Sequence, residues 1–245
     1  MQNFKIIIEY DGSAYHGWQR QPTDRTIQGE IESTLMTMTE NRVTLIGSGR
    51  TDAGVHAYGQ VANFRCNTSL GAEVFQNGLN SLLPEDIVVT SCEAVPEKFH
   101  AQYDVKSKTY HYRILNRRLP DAIFRRYAWH IRKKLDLNAM RSALYYIVGR
   151  HDFKAFEGSG SPRASTVRCV MNADFVETDD GYLVLKIEGD GFLKFMVRNI
   201  VGTLVDSGLG KITLSDFKRI LASKDRNLAG ITAPAHGLFL MEVKY

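Results

Sequence analysis

The stretch Val43–Cys66, VTLIGSGRTDAGVHAYGQVANFRC, decides how the N-terminal half is read. "VTLIGS" is apolar and β-branched and "QVANFRC" alternates, so each predicts a strand. The loop between them carries Gly47, Gly49, Gly54 and Gly59 within thirteen residues, enough freedom for a ligand to approach the backbone. A phosphate cradle is the obvious reading of such a loop. It fails here: "GSGRTDAG" has neither the closing Lys-Ser/Thr of a P-loop nor GxGxxG spacing, and a strand, not a helix, follows.

Working outward, "FKIIIEY" predicts a strand stopped by Asp11-Gly12. Ile27, Ile31, Leu35 and Met38 fall at helical spacing over 27–39, and a second helix over 72–83 ends at Pro84. "DIVVTSCEAV" closes a β-α-β-β-α-β order. The order recurs: strand "KTYHYRIL", a helix over 136–148, a hairpin around Asp179-Asp180-Gly181, helix "FLKFMVRNIVGTLVDSG", and closing strand "GLFLMEVKY". Thr213 and Asp216 add a capping box for a short extra helix through Leu221. The expected fold is α+β: two ferredoxin-like halves, 1–103 and 104–245, linked near 97–107, with antiparallel sheets joined around a central cleft.

Composition excludes several classes. Hydrophobic content is 44% and charged content 24%, as in ordinary globular chains. No apolar run approaches the ~18 residues of a membrane helix, and "MQNFKIIIEYDG" lacks the pattern of a signal peptide, so a cytoplasmic protein is expected. Cys66, Cys92 and Cys169 are odd in number and scattered, with no CxxC, and no dense His/Cys/acid cluster predicts a metal. Net charge is only +4, yet Asn116–Lys134 holds seven Arg/Lys against one Asp, interleaved with Phe124, Tyr127 and Trp129. That mixture suits a phosphate backbone with bases to stack, although a solvated face reads the same way.

Within the loop, Asp52 lies two residues after Arg50 and four before His56. Asp beside Gly is favoured in turns and at helix caps. No helix follows for Asp52 to cap, so a reactive carboxylate competes with the turn reading.

"GRTDAGVHA" resembles the catalytic-loop signature of the tRNA pseudouridine synthase A family. "YDGSAYHGWQRQP", "FHAQYDVKSKTYHYRI", "GFLKFMVRNIVG" and "APAHGLFLMEVKY" resemble its other motifs, in the family's order and over nearly the whole chain. The resemblance implies isomerisation of uridine to pseudouridine at tRNA positions 38, 39 and 40, with no cofactor and no metal. It also implies a homodimer with tRNA lying across both subunits. Asp52 would be the nucleophile, acting at C6 or C1′ of the uridine or through a glycal. A free Asp, with pKa ~3.9, is ionised at neutral pH as this requires. Arg198 would be its basic partner, Tyr110 would pack on the extruded ring, and Arg50 would assist base extrusion. Tyr110 could equally be a core aromatic, and Arg198 a solvated residue on an amphipathic helix. The family usually has Arg where Gln102 stands, which removes one expected positive charge. Arg117, Arg118, Arg125 and Arg126 are candidates for tRNA contact on charge. Two rivals remain at this level: an RNA-binding protein without activity, and a hydrolase with an Asp nucleophile, for which the loop offers only His56 as a second acid/base group.

Overall fold

Residues 1–160 and 164–245 are described by a computed structural model. They form two units, Met1–Lys106 with Phe239–Tyr245, and Ser107–Leu238. The fold is mixed α+β in two halves.

In the first unit, β1 (Gln2–Tyr10) buries Phe4, Ile6, Ile8 and Tyr10 on one face. Helices α1 (Ile27–Thr39) and α2 (Ala72–Leu82) turn Ile27, Ile31, Leu35, Phe75 and Leu79 inward. Phe75 lies 4.9 Å from Phe4 and 5.1 Å from Phe64 between ring centroids, an aromatic knot at the centre of this core. Thr26 caps α1 by accepting from the Gly29 amide. β2 (Leu45–Gly47) and β1 both pair antiparallel with β3 (His56–Cys66), and β4 (Ile87–Val95) takes the other edge of β1. Behind the sheet, Asn63 donates to Asn3 and accepts from the Ala101 amide, while Asn3 donates to the Phe99 carbonyl. These buried amides tie the segment after β4 to the sheet and satisfy one another.

In the second unit, β5 (Ser107–Leu115), β6 (Trp129–His130), β7 (Gly149–Asp152), β8 (Val167–Glu177) and β9 (Tyr182–Gly189) run in the order β6-β5-β9-β8-β7. β6 is parallel to β5 and the rest are antiparallel. Helices α3 (Leu137–Tyr145), α4 (Met196–Gly208) and α5 (Leu214–Ser223) build the core, and the Thr213–Asp216 capping box is present. Only Arg198 and Asp206 of α4 escape burial. A helix buried around nearly its whole circumference belongs inside a core, and its buried polar residues Asn199, Thr203 and Ser207 are hydrogen-bonded there.

Four features depart from the sequence reading. β3 begins at His56, so the end of the glycine-rich stretch, His56–Gly59, is strand rather than loop. α4 begins at Met196 rather than Phe192, because Phe195 adopts the left-handed conformation with φ 62°. β6 and β7 were not expected: one has two residues, and the other, GRHD, is polar without alternation. Last, element order assigns the closing strand to the second half, yet residues 239–245 of β10 (Leu238–Lys244) cluster with the first. β10 lies parallel to β3 through Phe239↔His56 and Leu240↔Ala57, and the Lys106 amide donates to the Lys244 carbonyl. A parallel partner this distant leaves no mark on local pattern.

Candidate active site

The Asp52 loop is held from both ends and from one side. Gln60, fully buried in β3, accepts from the Ser48 hydroxyl at 2.7 Å and donates to the Gly49 carbonyl at 3.1 Å. The Thr51 carbonyl accepts from the Trp18 amide at 3.1 Å, and the Thr51 hydroxyl shares a 2.8 Å hydrogen bond with Tyr10. Burial pushes the Tyr10 phenol well above its usual range, so it stays protonated. After Asp52, the Val55 amide donates to the Asp52 carbonyl at 3.1 Å. Gly54, at φ 77°, supplies the positive φ that a type II turn needs at its third residue. The turn is therefore closed by backbone atoms and Gly54. β3 rather than a helix follows this turn, so Asp52 caps no helix. Asp52 is half-buried and Arg50 exposed.

The N-terminal motif Tyr10–Pro22 acts as the frame of this loop. Its Gly12 sits so close to Val55 that an added Cβ would fall 2.0 Å from the Val55 carbonyl oxygen. Trp18, only 2% exposed, packs beside Gly47. Trp18, Tyr10, Thr51 and Gln60 are framing residues that reading side chains for reactivity misses. The clue was the N-terminal motif itself, rich in aromatics and glycine.

His56 is not available as a second acid/base group. It is 2% exposed, stacks on Phe239 at 4.8 Å, and its Nδ1 lies 3.0 Å from Asp11 Oδ1 and 3.2 Å from the Gly12 amide. One ring nitrogen serves one of these at a time: protonated it donates to Asp11, unprotonated it accepts from Gly12. Either contact fastens the frame to β3. This removes the main support for a hydrolase.

In the second unit, Lys108, Tyr110, Tyr112 and Ile114 share one face of β5, whose register with β9 is unbroken. Tyr112 is fully buried and its hydroxyl donates to the Pro234 carbonyl at 2.8 Å. Tyr110 is 8% exposed, with its ring edge-on to Phe192 at 5.2 Å. Arg198 projects from the first turn of α4, its Nε donating to the Ala233 carbonyl at 2.7 Å and its guanidinium 4.9 Å from the Phe195 ring centre. The surrounding helix is buried, so Arg198 is not one of a solvated face. A cation in the first turn also opposes the helix dipole, and that first turn has no acidic residue. Phe192 and Phe195 are the ring partners of Tyr110 and Arg198. Their only signal is the interleaving of Phe and Lys in "GFLKF".

Arg117, Arg118, Arg125 and Arg126 are all exposed. They are not equivalent. Arg117 donates to the Leu119 carbonyl and pairs with Asp121 at 3.4 Å, and Arg125 donates to the Ala122 carbonyl. These two partly hold the loop that displays the others. Gln102 is exposed at a turn where Tyr103 stacks on His100. No helix among the described residues is long and apolar enough to cross a membrane.

A family model described as tRNA pseudouridine synthase matches residues 6–104 and 143–245. The chain belongs to the tRNA pseudouridine synthase family. Its members include "tRNA pseudouridine synthase A" of Acetivibrio thermocellus, 46% identical over all of both chains, and that of Thermoanaerobacter pseudethanolicus, 47% identical with the same coverage. "tRNA pseudouridine synthase A 2" of Clostridium perfringens is 44% identical, again over the full length of both. Among solved structures, a Cbf5-Nop10-Gar1 complex has a chain with TM-score 0.36 and 11% identity, covering 83% of this chain and 44% of that one. A likeness that low carries no argument. The protein is thus a pseudouridine synthase, an isomerase. The Asp52 loop lies inside the matched segments of the tRNA pseudouridine synthase model, whereas Tyr110 and the four arginines fall in the 105–142 interval outside them, which the full-length relatives cover.

Proposed function

We propose that this enzyme isomerises uridine to pseudouridine at positions 38, 39 and 40 of the tRNA anticodon stem-loop, with Asp52 as the nucleophile on an extruded uridine. The observation that supports this most is the anchoring of the Asp52 loop. Thr51 is held through its hydroxyl and its carbonyl, and a backbone-closed turn follows Asp52. A backbone anchored this firmly beside the acid suits a reagent whose position governs rate. The reaction breaks N1–C1′ and makes C5–C1′; C5 gives up its hydrogen and N1 gains one, so no cofactor is consumed. Arg198 supplies positive charge toward the carboxylate, Tyr110 supports the turned-out ring, and Arg50 assists extrusion, which costs a few kcal/mol. Arg117, Arg118, Arg125 and Arg126 contact tRNA phosphates. The enzyme works in the cytoplasm as a homodimer.

The decisive experiment is single-turnover conversion of an unmodified tRNA transcript, read base by base, by wild type and Asp52→Asn. Asn keeps the size and turn preference of Asp but is no nucleophile. Conversion should vanish while melting temperature and tRNA affinity hold. Asp52→Glu, displaced by about 1 Å, should lose on the order of a hundredfold. Substantial conversion by Asp52→Asn would remove Asp52 from the chemistry, and unfolding of that variant would return it to a structural role.

A further inference from the structure

The loop between β5 and β6 exposes apolar side chains that a folded domain has reason to hide. Leu119 is 69%, Ile123 77% and Phe124 52% exposed. Of the three aromatics in the basic stretch, Tyr127 and Trp129 are half-buried, so Phe124 alone is presented to solvent. Single exposed apolar residues are ordinary, but three within six residues, ringed by charge, mark an interaction site.

The loop is also built to keep them there. Asp121 accepts from the Ile123 amide at 2.9 Å, the Phe124 amide at 3.0 Å and the Tyr182 hydroxyl at 3.1 Å, and pairs with Arg117. The Phe124 amide is first among the contacts that hold its carboxyl below the usual range. The Asn116 side chain closes the base by donating to the Ile131 and Lys133 carbonyls and accepting from the Leu135 amide. His130 Nε2 lies 2.9 Å from the Arg117 carbonyl. The tip is thus ordered before any partner arrives.

We propose that Ile123 and Phe124 form a preorganised apolar tip that stacks on an unpaired base of the tRNA substrate, between phosphates held by Arg118 and Arg126. This rests on the reading of the enzyme as acting on tRNA. Charge complementarity selects the occupant. Four arginines flank the tip, and the one acid is bound inward as the loop's organiser. A second copy of the chain docking tip to tip would bring eight arginines together, which like-charge repulsion disfavours.

The test is titration of unmodified tRNA transcript at several salt concentrations, alongside melting curves and base-resolved pseudouridine yield. Phe124→Ala should weaken binding roughly tenfold, within the range for loss of one stacked base, with an unchanged slope of log affinity against log salt. Phe124→Trp should bind as wild type or tighter. Asp121→Ala should also weaken binding, although it removes a negative charge that a purely electrostatic surface would be better without. Wild-type affinity in Phe124→Ala, or tighter binding in Asp121→Ala, would overturn the proposal. So would a change of oligomeric state in Phe124→Ala with RNA affinity intact, which would assign the tip to a second copy. If wild type converts no uridine at positions 38–40 yet Phe124→Ala still binds tRNA poorly, the assigned target positions fail and the docking tip stands.

Discussion

Tyr110 and Tyr112 lie two residues apart on one face of β5, in different surroundings. The Tyr112 hydroxyl is committed to the Pro234 carbonyl inside the core; the Tyr110 ring meets Phe192 edge-on. Tyr110→Ala should cut turnover by more than its loss of stability accounts for, because a ring only 8% exposed also packs the protein, and Tyr110→Phe, which keeps the ring, should isolate the hydroxyl's share. Tyr112→Phe should instead lower stability by about 1 kcal/mol through the stranded carbonyl, with turnover near wild type. The reverse pattern would mean that Tyr112 faces the substrate. Lys108, on the same face, gives a pH signature. Burial lowers its pKa to about 8. Because the folded value lies below the unfolded one, the unfolded chain binds more protons between about pH 8 and 10, and stability rises with pH there. The difference in melting temperature between wild type and Lys108→Met should shrink as pH goes from 7 to 9.5. A constant difference would mean that the lysine is charged alike in both states.

At the scale of elements, the frame and the loop are one construction. Gly12 abuts Val55 so tightly that Gly12→Ala must push the motif and the Asp52 turn apart. Overpacking of this kind typically costs about 1–3 kcal/mol, and the displacement falls on the proposed reagent. Turnover should therefore drop further than the melting temperature implies, measured at a temperature where the variant is fully folded. Gly71→Ala is the control, since an added Cβ there meets nothing within 4 Å and α2 lies away from the loop in sequence. Equal turnover by the two variants would separate the frame from the chemistry. The same logic explains α4. Its start is set by Phe195 in a left-handed conformation, a local cost of about 1–2 kcal/mol that delays the helix and places Arg198 in its first turn.

For the whole molecule, a net charge of +4 understates the local field along Asn116–Lys134, where seven of the 31 Lys and Arg residues stand against one Asp. Counterion release predicts that removing one arginine–phosphate pair flattens the salt dependence of tRNA binding by about one unit of slope. Arg118→Ala and Arg126→Ala should each do so cleanly. Arg117→Ala and Arg125→Ala should also loosen the loop, because those guanidiniums hold its carbonyls, and so should weaken binding by more than the slope accounts for. An unchanged slope in all four would assign this stretch to structure alone.

By itself the sequence determined the alternation of β1, the helical spacing of α1, the Asp179–Gly181 hairpin and the capping box of α5, because each rests on interactions within a few residues. It also marked the Asp52 loop, since glycines and a lone acid between two strands are a local pattern. Tertiary structure alone decided that β10 joins β3 in the first unit, that His56 is spent on Asp11 and Phe239, and that the Tyr112 hydroxyl is anchored on Pro234. Each of these joins residues far apart in the chain. Spacing within the sequence carries no trace of such partners, because what selects them is the packing of surfaces that exist only once the chain has folded.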